Sequence, residues 1–311
     1  MKKNNIYRSV IFIFLIINIT LLYVLFKKNT KELFNNDTEC KNKLIFSDYI
    51  RCQRIRDPVV NKEININKEY INKSKLLADK LLIKDELKNI ADLNIAKVLG
   101  VYNNTKEINL DLLPNKFVIK ANHWSGDPLV IDKNKIENLE EFKKKISKRF
   151  DTILKKKYSN SYEYHYKYIK PKLFIEEFLK ISPIEYKLHV IHGKVIWIYV
   201  KNFEINKTNI YTKDWNELNI DADYHKEKFK FDKPSNLNSL IKISELLSNK
   251  FNIDYVRIDF FIINNKIYFG EFTMTPHGLG WKITPVEFDK LLMKFILSKK
   301  IDYDKINKYI V

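Results

Sequence analysis

The sequence predicts an α+β fold with a mainly antiparallel sheet behind one N-terminal transmembrane helix, and three observations predict it. From residue 115 onward, short β-branched or aromatic runs alternate with longer amphipathic segments, the pattern of mixed α and β structure. The pairs His192-Gly193 and Asn264-Asn265 divide such runs, and dipeptides of this kind close hairpins between antiparallel strands. Residues 10–26, VIFIFLIINITLLYVLF, carry no charge at all.

With Ile6 and Tyr7 that apolar stretch reaches the roughly 20 residues that span a bilayer. It is apolar on every face, unlike a surface helix, and it lacks the small-residue cleavage site of a signal peptide. Lys2, Lys3 and Arg8 precede it, and Lys27, Lys28 and Lys31 follow. With Lys41 and Lys43 counted, the C-terminal side is slightly richer, which favours a single-pass protein whose main domain is cytosolic. Residues 1–28 therefore read as a membrane anchor. Residues 29–73, rich in Asn, Lys and Glu, read as a stalk and domain entry, and 74–311 as the main domain. Cys40 and Cys52 are too few for a disulfide framework or a zinc site, and either a pair or two reduced thiols fits the spacing.

Of 311 residues, 45% are hydrophobic and 14% aromatic, enough for one large domain or two intimately packed lobes. The formal charge of +18 would attract phosphate, nucleic acid or anionic lipid. Its lysines are scattered among Asn and Ile, with no Arg cluster, zinc finger or aromatic RNA-binding signature, so dedicated nucleic-acid binding is not expected.

Strands are expected at 117–120, 173–177, 186–191, 194–200, 255–263 and 267–272. Helical spacing marks 76–90 and 139–157, then 237–251 behind a Ser235 cap, and 286–297.

The stretch YVRIDFFIINNKIYFGEFTMTP carries the chemistry that can be tested by register. With a three-residue loop at Asn264, Asn265 and Lys266, Arg257 faces Thr273, Asp259 faces Glu271 and Phe261 faces Phe269, all on one side. Facing carboxylates repel unless a positive group separates them, and a divalent cation such as magnesium suits oxygen ligands. On this view Glu271→Gln relieves repulsion and leaves stability equal or slightly higher. A two-residue turn would instead send Asp259 and Glu271 to opposite faces, and a plain surface hairpin with an Arg–Asp pair is the ordinary alternative.

Two further segments matter. LPNKFVIKANHWSGDPLVI runs through a strand ending at Lys120 into a polar turn with Ser125 and Gly126, then back into a strand, and such a hairpin can offer backbone N–H groups to phosphate. His123 in that turn reads as a packing or hydrogen-bonding residue. In KPKLFIEEFLKISPIEYKLHVIHGKVIWIYV an apolar strand exits through Glu176, Glu177, Phe178 and Leu179. Such an edge can read adenine through its backbone, although a solvated Glu-Glu pair is the more ordinary reading.

Asp79-Lys80, Leu113-Pro114 with FVIKANHWSG, YKYIKPKLFIEEFL, EYKLHVIHGKV, Asp214-Trp215, VRIDFF and FGEFTMTP, in this order, resemble the TupA-like ATP-grasp family, named for teichuronopeptide biosynthesis. The resemblance runs from Asp79 to the helix that begins at Val286. It implies an ATP-grasp fold, two α/β lobes holding ATP between them. It implies that Lys80 and Lys120 contact nucleotide, that the Ser125-Gly126 turn closes over the phosphates, and that Glu176 orients adenine. The backbone of Glu177 and Leu179 would read the adenine edge, and Glu185 would reach the ribose. It further implies Lys187 at the γ-phosphate, Asp259 and Glu271 on Mg2+ with Thr273 beside them, and Arg257 stabilising acylphosphate chemistry. Many ATP-grasp enzymes have Asn where Thr273 stands and Asp where Glu185 stands, and Trp124 and Asp127 flank the glycine turn here.

The expected function is thus an ATP- and Mg2+-dependent ligase forming an amide or ester on an anionic or carboxylate-bearing acceptor in cell-surface polysaccharide biosynthesis. The competing expectations are a kinase of a sugar or polyol, a glycosyltransferase of a polysaccharide locus, and a basic membrane-surface scaffold.

Overall fold

The computed structural model describes residues 40–55, 68–125, 128–156, 163–180, 184–222 and 227–311. Its larger sheet has six strands in the order β1 (Leu93–Asn94), β10 (Lys266–Thr273), β9 (Tyr255–Ile263), β6 (Ile184–Ile191), β7 (Lys194–Asn202), β8 (Lys207–Tyr211). Only β1 with β10 is parallel. The smaller sheet is antiparallel throughout, in the order β2 (Val98–Tyr102), β5 (Leu173–Glu177), β3 (Lys116–Ala121), β4 (Leu129–Asp132). The described helices are α1 (Phe46–Ile55), α2 (Lys68–Ala78), α3 (Leu82–Leu87), α4 (Leu139–Lys155), α5 (Leu237–Lys250), α6 (Val286–Ser298) and α7 (Tyr303–Asn307).

Each sheet buries one face under a helix with matching apolar spacing. Leu240, Ile243 and Leu247 of α5 pack with Leu188, Val190, Val256 and Ile258 of the larger sheet. Ile146, Phe150 and Ile153 of α4 cover Phe117, Ile119, Leu173 and Ile175 of the smaller. Part of the other face of the larger sheet is closed by α1 and α6, whose Phe46, Ile50, Phe288 and Leu292 join Trp197, Tyr255 and Trp281. The rest of that face carries polar side chains, and it is the face that matters for chemistry.

The expected anchor at 1–28 lies outside the described residues, and among the described residues no helix is long and apolar enough to cross a membrane. Residues 40–55, read from composition as stalk, instead form part of the core, because α1 buries Phe46, Tyr49, Ile50 and Arg54. Cys40 and Cys52 are joined by a disulfide with 5.5 Å between their Cα atoms.

The helix expected over 76–90 breaks at Asp79-Lys80. Asp79 Oδ1 accepts hydrogen bonds from the Leu81 and Leu82 N–H groups (2.9 and 3.1 Å), starting α3 afresh. Ser235 does not cap α5. Its hydroxyl donates to Asn236 Oδ1 and Asn265 Oδ1, tying the start of α5 to the β9–β10 turn.

Candidate active site

The hairpin β9–β10 turns on two residues rather than three. Ile263 pairs with Lys266, and Asn264 and Asn265 take φ of 48° and 59°, the left-handed conformation that Asn tolerates. That turn alone would place Asp259 and Glu271 on opposite faces. A bulge at Gly270 restores them: Phe269 pairs with Phe260, Gly270 is skipped, and Glu271 pairs with Asp259 and Thr273 with Arg257. Phe261 therefore faces Tyr268, and Phe269 packs with Phe260 in the core on the opposite face. A Cβ on Gly270 would lie 2.8 Å from the Asp259 carbonyl oxygen and 3.2 Å from the Phe261 ring, so the bulge requires glycine here.

The bulge assembles a charge cluster on the polar face. Asp259, fully buried, accepts from Arg257 Nε at Oδ1 (2.7 Å), and from Arg257 Nη2 (2.6 Å) and Lys187 Nζ (2.9 Å) at Oδ2. Arg257 Nη2 also donates to Thr273 Oγ1 (2.9 Å) and lies 3.6 Å from Glu271 Oε1. The positive group between the facing carboxylates is thus the Arg257 guanidinium. Thr273 Oγ1 donates to Glu271 Oε1 (3.2 Å), and Lys80 Nζ pairs with Glu271 Oε2. β6 sets Lys187 directly opposite Asp259, and its Nζ also lies 2.6 Å from Oε2 of Glu185, two residues back on the same face of that strand.

Burial alone would raise both hairpin acids. Arg257 and Lys187 outweigh it at Asp259, and Lys80 and Arg257 at Glu271, holding both carboxyls below their ordinary range. Glu185 goes the other way: burial and then the Asp259 charge push it up. Lys80 is raised because Glu271, Asp259 and Glu176 together exceed the effect of its burial. It is the group that senses the carboxylates of both sheets.

The second cluster lies on the smaller sheet. Buried Glu176 on β5 is held by Lys120 of β3 and Lys84 of α3, each at 2.5 Å. Burial would raise Glu176, and the two lysines depress it instead. Glu177 N–H already donates to the Lys97 carbonyl (3.0 Å), and its carboxylate accepts from Lys97 N–H. Leu179 follows β5, half-buried. Ser125 donates to Glu163 Oε2 (3.1 Å), and Glu163 in turn feels Glu271, Lys80 and Arg257. Gly126 lies outside the described residues. His123 is buried, its ring nitrogens bonded to Asn122 Oδ1 and the Ile153 carbonyl.

The donor set at Asp259 and Glu271 fits magnesium of the kind that keeps water and phosphate oxygens as its main ligands and takes one or two carboxylates from the protein. Among the described residues no group of three His, Cys, Asp or Glu is placed to hold a metal without such help. Glu271, a third exposed at its side chain, is the more accessible donor, while Asp259 is fully enclosed by Arg257 and Lys187.

Sequence reasoning missed Lys84, Glu163 and Gly270. Lys84 stands four residues after Lys80, the spacing of one helical face, and a glycine inside a strand pattern is itself a bulge signal. Glu163 follows a segment with no pattern to place it.

Residues 61–297 match the family described as TupA-like ATPgrasp. No curated protein matches. Among solved structures the chain is similar to D-alanine–D-alanine ligase from Helicobacter pylori, at 18% identity, covering 73% of this chain and 62% of that one with a TM-score of 0.45. It is also similar to D-alanine–D-alanine ligase from Bacillus anthracis complexed with ATP, at 15% identity, with coverages of 76% and 64% and a TM-score of 0.40. A third is L-amino acid ligase from Bacillus licheniformis, at 11% identity, with coverages of 75% and 49% and a TM-score of 0.44. The chain spans less than two thirds of the length of each of these three.

Proposed function

The chain belongs to the TupA-like ATP-grasp family, whose cofactors are ATP and Mg2+, and from that premise we propose that it is a ligase joining a carboxylate to an amine or hydroxyl through an acylphosphate. The setting we propose is cell-surface polysaccharide biosynthesis, with an anionic or carboxylate-bearing acceptor. One observation carries the reading: Lys80, Lys187 and Arg257 converge on Asp259 and Glu271, with Lys80 also feeling the charge of Glu176.

In this reading Glu271, the more accessible acid, and Asp259 would hold magnesium, which when bound would supply charge neutralisation at phosphate oxygens. Asp259 fixes the Arg257 fork and the Lys187 ammonium, so both cations are oriented before substrate arrives. A substrate carboxylate oxygen bonds to the γ-phosphorus as the bond to the ADP oxygen breaks, and Arg257 and Lys187 stabilise the charge on the transferring group. The acceptor amine or hydroxyl then displaces phosphate from the acyl carbon and loses its proton. Lys120, paired with Glu176, contributes a point charge for the nucleotide.

Hydroxylamine tests the chemistry. A purified protein given ATP, Mg2+ and a pool of carboxylate-bearing glycans is expected to yield ADP and a hydroxamate. ADP formation with a hydroxylamine-stable phosphoester would make the chain a kinase instead.

Tethering through residues 10–26 belongs to the same reading, and deletion through Phe26 is expected to leave ATP binding intact. The lysine count and the need for ATP favour the cytosolic side of that membrane, whereas the Cys40–Cys52 bond favours an oxidising one. Thiol labelling of the acid-quenched protein before and after reduction decides between them.

A further inference from the structure

Helix α1 lies before the family-matched residues 61–297, yet it reaches the hairpin that carries Asp259 and Glu271. Its first turn is fixed to α6, where Ser47 N–H and Oγ donate to the two oxygens of Asp289 (2.9 and 2.6 Å). Its first residue, Phe46, packs edge-on against Tyr255, with 4.9 Å between ring centroids. Its last turn buries Arg54 completely. The Cys40–Cys52 disulfide braces the same helix two residues before Arg54.

Arg54 uses its fork on both strands at once. Nη2 donates to the Tyr255 carbonyl (2.7 Å) and to Asp254 Oδ1 (3.1 Å), while Nη1 donates to the Met274 carbonyl. Tyr255 opens β9 two residues before Arg257, and Met274 directly follows Thr273, the partner of Arg257 across the hairpin. Arg54 therefore ties together the open end of the hairpin, one step beyond the Arg257–Thr273 pair. The turn end is closed by covalent continuity, and the middle is bent by the Gly270 bulge. Without a clamp, the open end is where the two strands can part. Its guanidinium also lies 5.2 Å from the Tyr255 ring centroid, and the Tyr255 hydroxyl bonds to His189 Nδ1 (2.9 Å), directly opposite Arg257 in the ladder.

We propose that Arg54, carried by the disulfide-braced helix α1, is a positioning residue that sets the separation of Arg257 and Asp259 from Glu271 and Thr273. The proposal rests on the proposed reaction for its kinetic readout, and on backbone exchange for a readout that does not need the reaction. Lysine retains the charge but not the planar fork that spans two carbonyls. Arg54→Met removes both.

In the full-length protein, Arg54→Met is expected to lower kcat for ATP turnover at least about tenfold, the scale of a sub-ångström misplacement, while KM for ATP stays within about threefold. The KM holds because Lys120 and Glu176 stand on the other sheet. Arg54→Lys is expected to recover part of the kcat. Amides of residues 255–259 and 271–275 are expected to exchange with deuterium at least about tenfold faster in either variant, while those of β3 and β5 do not change. Unchanged kcat in folded Arg54→Met, or in Arg54→Lys if the Met variant does not fold, overturns the proposal. If the wild-type chain turns over no ATP, the ligase reading fails, and the proposal is then decided by exchange alone. Equal exchange at the two hairpin segments overturns it.

Discussion

Gly270→Ala perturbs the site through one contact. The added Cβ would sit 2.8 Å from the Asp259 carbonyl oxygen, whereas a close carbon–oxygen contact between strands is about 3.3 Å, so something must move by about 0.5 Å. The obstacle is backbone, not the tip of a flexible side chain. Gly270 does not have positive φ, which among the described glycines only Gly193 has, so the penalty comes from this contact and from the Phe261 ring at 3.2 Å. Overpacking of this kind costs about 1–3 kcal/mol. Because the displaced peptide carries the Asp259 carboxylate, kcat falls as well. If a 1 Å misplacement costs about 100-fold, half of that costs about tenfold. Steady-state ATP turnover and thermal unfolding should be measured together, with Gly280→Ala as the control, since its Cβ would meet nothing closer than 3.4 Å. A folded Gly270→Ala protein with wild-type kcat would refute the claim that the bulge sets the carboxylate register.

Lys120→Ala is expected to weaken nucleotide binding by about 1.5–3 kcal/mol, the scale of a charge-assisted hydrogen bond. The fold should survive because Glu176 keeps Lys84; calorimetry showing unchanged affinity removes Lys120 from the site. Acid stability offers a separate test. Burial, and then the charge of Arg54, push His165 down to about 3, while the unfolded residue titrates near 6.5. Between those values the unfolded chain binds the extra proton, so stability falls as pH drops, by up to about 1.4 kcal/mol per unit for this residue. His165→Asn should flatten the urea midpoint against pH between 6.5 and 5, and an unchanged slope contradicts the assignment.

How much of this was legible in the sequence depended on whether a residue's neighbours were local. The strands at 173–177 and 255–263 have the bounds that alternation and turn residues predict. The edge strands β1 and β2 were missed, since a two-residue strand or a half-exposed one interrupted by Gly100 carries little periodicity, and β8 was missed because Lys207, Thr208 and Asn209 leave it only two apolar residues. The facing of Asp259 and Glu271 was anticipated through a three-residue loop. The chain reaches the same pairing through a two-residue turn and a bulge, two compensating one-residue shifts that no local signal connects. The role of α1 in the core was invisible for a different reason. Its partners Tyr255, Met274 and Asp289 lie more than 200 residues away, and its composition resembles a solvated linker. Facing carboxylates also suggested that neutralising one leaves stability equal or slightly higher. The structure reverses that sign, because Glu271 answers Lys80 and Arg257 as well as opposing Asp259.

Glu271→Gln is therefore the most direct test of the central claim that the hairpin acids form the magnesium–nucleotide site. The variant is expected to lose about 1–2 kcal/mol of stability at neutral pH, a buried-pair loss reduced by its partial exposure and by relief from Asp259. The decisive measurement is ATP affinity titrated with and without Mg2+. In the wild type, magnesium should tighten binding at least about tenfold, or about 1.4 kcal/mol, and in Glu271→Gln that enhancement should vanish while the magnesium-free affinity remains. An equal magnesium enhancement in both proteins would contradict the account.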